Sequence, residues 1–235
     1  MIYKTFEQIK TKVERELDIE TEDFIQPDEF REYVNDAIDI VFAEILKLGL
    51  EDEYFLKWKY MALVQGQDTY ALPTDIYSNK IKKIMYRQGA TLYEIKRMRS
   101  KQRFEQIEEI LQYNSVTDFY RYLLTNHGSD EGITLELFPA SKEDSTQNVK
   151  VWYQREPQKW TTDSSKKCDL PEIALNFLYA YVHFRVFDKE QHAGAADKKA
   201  SMMDNRELMI QTLTNMVPDE ESSIDMDTSA YEDFS

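Results

Sequence analysis

The apolar residues of this chain change their spacing at Leu56, and that change commits it to a mixed architecture. Before it, Phe6, Ile9, Val13 and Leu17 recur at helical intervals. A second helix opens at Pro27, a residue favoured at the first helical position, and closes at Gly49. Phe30, Val34, Ala37, Ile38, Val41, Ile45 and Leu46 give this helix one apolar face, so residues 5–49 read as a packed helical pair. After Leu56 the period is two. Trp58, Tyr60, Ala62 and Val64 alternate with Lys59, Met61 and Leu63 as in a half-buried strand; Gly66 then lets the backbone turn, and Pro73 ends the pairing. Further strands are expected at 80–87, 91–96, 117–125, 132–138 and 148–155, with turns at Gln88-Gly89, Asn126-His127-Gly128 and Pro139-Ala140. Such short joins predict a largely antiparallel sheet. Ser100 is placed to cap a helix inserted into that sheet, with Phe104, Ile107, Ile110 and Leu111 on its inner side.

Helical spacing returns at Leu170-Pro171. In IALNFLYAYVHFRVF, residues 173–187, twelve of fifteen positions are apolar or aromatic, the exceptions being Asn176, His183 and Arg185. A helix apolar on nearly all sides needs cover on nearly all sides, so Phe177, Tyr181 and Phe184 are expected in a core or against a neighbouring subunit. The segment is too short and too polar at its centre to span a bilayer. A last helix carries Met202, Met209, Leu213 and Met216 along one stripe, which reads as core filling or as a docking surface. The expectation is therefore an α+β fold: one domain over 1–217, with helices at 5–49 and 171–216 around a β region at 56–157, followed by an acidic tail.

Charge is unevenly placed. Of the formal −15, residues 218–235 supply −7 (seven acids, no Lys or Arg) and residues 1–217 the other −8. High charge and few apolar residues predict a disordered tail. Neither part has the basic face that phosphate binding needs; the basic run KRMRSKQR at 96–103 reads as the solvated start of a helix. The amino-terminal MIYKTFEQIKTKVERE has the charge and periodicity of a helix rather than a signal peptide, and a single cysteine suits a reducing compartment, so the chain is expected to stay in the cytoplasm where it is made.

Catalytic patterns are missing. There is no phosphate-binding glycine loop, no dinucleotide fingerprint and no His-Glu-x-x-His pair, and one cysteine with three histidines excludes thiolate zinc sites. Asp188 and His192 lie four apart, as a helix-end surface pair does. Cys168 precedes a helix start, but no histidine is placed beside it by the sequence, so it reads as an inert thiol. Tyr120, Tyr122, Trp152 and Tyr153 read as sheet and core residues rather than base-stacking platforms. No catalytic, cofactor-binding or metal residue is assigned.

The succession Gly66-Gln67-x-x-Tyr70-x-Leu72-Pro73-x-Asp75, the strand 80–86, Ile133-x-Leu135-x-Leu137-x-Pro139, Val149-x-Val151-x-Tyr153-x-x-x-Pro157, and Leu170-Pro171 opening a helix with Tyr179 and Tyr181 resembles the head-to-tail connector (adaptor) proteins of tailed bacteriophages. The likeness lies in order and spacing over most of residues 25–216, and the acidic tail is outside it. It implies a non-enzymatic virion protein at the head-tail junction. It also implies a ring, commonly of twelve copies, that binds the portal above and further tail or ring proteins below, with DNA passing through unbound and no membrane involved. Ile224, Met226, Tyr231 and Phe234 are spaced along the tail as candidate anchors for a partner such as the portal or an adjacent subunit; the alternative is a disordered tail that only keeps the protein soluble. Two other readings stand beside this one: an intracellular protein-binding adaptor module, and an enzyme of unrecognised type.

Overall fold

The computed structural model describes residues 4–17, 25–88, 90–98, 121–126, 133–138, 140–141 and 144–217. The helix expected after Ser100, the turn at Asn126-His127-Gly128 beyond its first residue and the tail anchors lie outside these residues. The fold is α+β. In chain order the described helices are α1 (Phe6–Leu17), α2 (Pro27–Lys47), short α3 (Glu51–Phe55), α4 (Glu172–Lys189) and α5 (Ala195–Thr214). The strands are β1 (Leu56–Leu63), β2 (Thr69–Ala71), β3 (Ile76–Gln88), β4 (Thr91–Glu94), β5 (Lys96–Arg97), β6 (Arg121–Asn126), β7 (Ile133–Phe138) and β8 (Ser145–Arg155). They form two compact units, Met1–Leu50 with Gln158–Ser235, and Glu51–Pro157.

The helical unit gathers both ends of the chain. Thr5 and Gln8 open α1 with a reciprocal cap: the Gln8 amide donates to Thr5 Oγ1 at 3.2 Å and the Thr5 amide to Gln8 Oε1 at 3.1 Å. Pro27 starts α2 as expected, and Gly49, at φ 72°, takes the left-handed turn that ends it. Helix α4 is the centre of this unit and packs on α1, α2 and α5, which explains its lack of a polar face. The segment before it is fastened to α2 by Asn35, whose Nδ2 donates to Trp160 O at 2.9 Å while its Oδ1 accepts from the Trp160 amide at 2.8 Å. The Trp160 ring stacks on Phe6 and meets Phe30 edge-on. On α5, Met202, Met209 and Leu213 are buried, and Met216, just past the helix end, is exposed, so most of the methionine stripe fills the core.

Among the described residues the β unit has two four-stranded sheets, ordered β1-β8-β3-β4 and β2-β7-β6-β5. Every pairing among these strands is antiparallel except β5 with β6. Leu63, Ile84, Tyr86, Val149, Val151 and Tyr153 of the first sheet and Tyr70, Tyr122, Leu135 and Leu137 of the second share one core. Strand β1 alternates in burial only at its end, since Leu56 to Tyr60 are all exposed instead of half-buried as expected, and the aromatic face is the open one. Trp58, Tyr60 and Val64 are exposed, while Met61 and Leu63 turn to the core.

Candidate functional site

The Gly66–Asp75 pattern is a clamp on the β unit. Gly66 sits at φ 78°, a conformation that favours glycine, and its amide donates to Ser141 O at 2.8 Å. Tyr70, on β2 and buried, reaches back to donate its hydroxyl to Gln67 O at 2.9 Å, closing the turn from inside. Beyond Pro73, the Asp75 carboxylate accepts from Lys57 Nζ at 2.6 Å and from the Tyr153 hydroxyl at 2.8 Å, while its carbonyl accepts from the Glu156 amide at 2.8 Å. One residue thereby ties the start of β3 to β1 and to the end of β8. Burial works against the Asp75 charge, but the hydrogen bonds from Lys57 and Tyr153 outweigh it and hold the carboxyl below the usual range. Burial first, then the bond to Asp75, pushes the Tyr153 hydroxyl well up, so it stays a donor.

The residues singled out on α4 lie within the helical unit. Phe177 and Tyr181 are buried with ring centroids 6.0 Å apart, and Phe184 is half-buried. The Tyr181 hydroxyl accepts from Arg185 at 2.8 Å. Helix α5 is held to α2 by Arg206, whose Nη2 lies 2.5 Å from Glu44, a carboxylate only 9% exposed that also accepts from Lys47 at 3.1 Å. Burial opposes that charge, yet Arg206 and then Lys47 bring the Glu44 carboxyl below its ordinary value. Nothing in the spacing of Glu44 or Asn35 marked them, because each is one polar residue on an otherwise regular helix and its partner is over a hundred positions away.

A polar hollow of about 220 Å³ opens between α1, α4 and α5, lined by Lys12, Glu16, Tyr179, His183, Lys198 and Asn205 among others. His183 Nε2 lies 3.3 Å from Glu16. Burial lowers its pKa, Glu16 opposes this, and Lys198 and Lys12 add to the lowering. Burial pushes the Cys168 thiol up to about 12, so it is protonated rather than nucleophilic at neutral pH. His192 faces Phe187 edge-on and accepts from the Gly194 amide, which places it in the packing of a helix end. Among the described residues, no group of three or more His, Cys, Asp or Glu is placed to hold a metal ion, and no helix is long and apolar enough to cross a membrane.

What the surface offers instead is contact area. Trp58 and Tyr60 meet edge-on at 5.4 Å on the open face of β1. Lys150, the β8 neighbour of Tyr60, lies 3.9 Å from the Trp58 ring centre and 4.5 Å from that of Trp152. Trp152 is half-buried, whereas Tyr122 and Tyr153 are core residues; Tyr120 lies outside the described residues. None of the curated proteins compared matches the chain. The family model of the SU10 adaptor protein matches residues 4–223, taking in both units and the clamp. The chain therefore belongs to the SU10 adaptor protein family, a phage head-to-tail adaptor family, and is a structural component of the virion.

Proposed function

We propose that copies of this protein assemble into a ring that joins the phage portal to the tail and lets the genome pass through its centre. The family match over residues 4–223 carries this reading, since the whole folded chain is accounted for by an adaptor family that is not typically enzymatic. Twelve copies, following the connector resemblance, would sit below the portal and carry the next tail component. The acidic charge suits a conduit that must not retain DNA, because a surface that repels phosphate gains nothing by binding it. Ile224, Met226, Tyr231 and Phe234 serve as anchors by which the tail reaches a partner, folding as it binds. Assembly takes place in the host cytoplasm and the product remains at the head-tail junction.

A phage carrying a deletion of this gene tests the role directly. The expected product is DNA-filled heads without attached tails in electron micrographs, restored by supplying the protein from a plasmid. Complete, tailed particles lacking the protein would contradict it.

A further inference from the structure

We infer that the outer edge of β1 receives residues 223–227 of the tail of a neighbouring copy as an added strand. Strand β1 ends its sheet, pairing with β8 on one side, and among the described residues no strand pairs with its other edge. It is eight residues long and has no proline. A long edge of this kind presents unpaired backbone donors and acceptors, the basis of recognition by strand addition.

Side chains on this edge sort by face. Leu56, Trp58 and Tyr60 are 43%, 50% and 40% exposed on one side, and Lys57 and Lys59 occupy the other. The cation Lys150 over the Trp58 ring holds that ring in a paired arrangement on the sheet. The tail sequence Ile224-Asp225-Met226-Asp227 alternates with the same period. If Ile224 and Met226 lie beside Trp58 and Tyr60, the pleat sets Asp225 and Asp227 beside the lysines. A slip of one residue would put carboxylates against the tryptophan and apolar side chains against ammonium groups, so the two patterns fix their own register. Methionine suits the aromatic side through its polarisable sulfur. Lys57 is already held by Asp75 at 2.6 Å, which leaves Lys59 as the main partner for the tail carboxylates.

The choice of a neighbouring copy rests on the ring reading, in which subunits sit side by side and each tail meets the next subunit's edge. Two measurements separate the two ideas. In the first, a fluorescent peptide of residues 218–235 is titrated into the full-length protein and followed by anisotropy at low salt. Saturable binding is expected, weakened at least tenfold by Lys59→Glu and restored to that variant by a peptide carrying Asp225→Lys and Asp227→Lys. Equal affinity of the original peptide for both proteins overturns the strand pairing, whether or not rings form. In the second, full-length protein carrying Tyr60→Cys and Met226→Cys is oxidised after mixing with the portal; the buried native Cys168 stays out of this reaction. A ladder of disulfide-linked copies is expected. A bond within one chain, a link to the portal, or rings with no link at all overturns the assignment to a neighbouring copy. Peptide binding with the expected charge dependence but no ring would instead refute the ring reading and leave the strand acceptor standing.

Discussion

Asp75 is held from two strands at once, by Lys57 from β1 and Tyr153 from β8. Replacing Tyr153 by Phe leaves the ring in the core and removes one hydrogen bond to a charged acceptor, with an expected loss of about 1.5–3 kcal/mol in urea unfolding. A loss below about 0.5 kcal/mol would show that the clamp adds little to stability. The clamp's first half was legible in the chain, since Gly66, Tyr70, Pro73 and Asp75 form a local pattern. Its second half was not, because Tyr153 lies 78 positions on in a strand where any aromatic reads as core. His183 sets a pH dependence in the helical unit. Its folded pKa is lowered, so the unfolded chain takes up the proton first, and stability falls as pH drops below the unfolded value of about 6.5. The melting temperature of the native protein is expected to decline on acidification from about pH 7 to 5 more steeply than that of His183→Gln. Parallel curves would exclude His183 as a source of that decline.

At the scale of elements, periodicity located α1, α2, α4, α5 and most strands but not the short α3, because burial of one face leaves its spacing in the sequence only over several turns. It did not say which face of β1 is open. Alternation defines two sides, and only the packing of the two sheets, which takes Met61 and Leu63 into their shared core, leaves Trp58 and Tyr60 on the open side. The same limit held for α4, whose apolar surface called for cover without naming α1, α2 and α5 as its source. For the tail, truncation after Val217 is expected to leave thermal unfolding of the isolated protein nearly unchanged, since residues 223–227 are assigned to the edge of a neighbouring copy and not to their own chain. The same truncation should weaken attachment to the portal, and Tyr231→Ala with Phe234→Ala should reproduce part of the loss. Equal attachment of truncated and full-length protein, compared by co-sedimentation at one salt concentration, would reduce the tail to a solubilising role.

At the scale of the molecule, the β unit is an insertion, Glu51–Pro157, between helices that gather from both ends of the chain. The order helix, strand, helix was readable from the sequence; the closing of the helical unit through Trp160 and Asn35 depends on contacts across 125 positions and was not. With a formal charge of −15, the protein is expected to show no measurable affinity for duplex DNA at physiological salt. Micromolar binding with a steep salt slope in an anisotropy assay would contradict a conduit that does not hold its cargo. Ring formation is the central claim, and association must offset several kcal/mol of lost freedom, so the portal is expected to act as the template. Mass photometry of the protein alone and mixed with the portal of the same phage tests this most directly. The account predicts a small species alone, giving way in the mixture to the portal plus a ring's worth of added copies; a mixture in which both proteins keep their separate masses would contradict it.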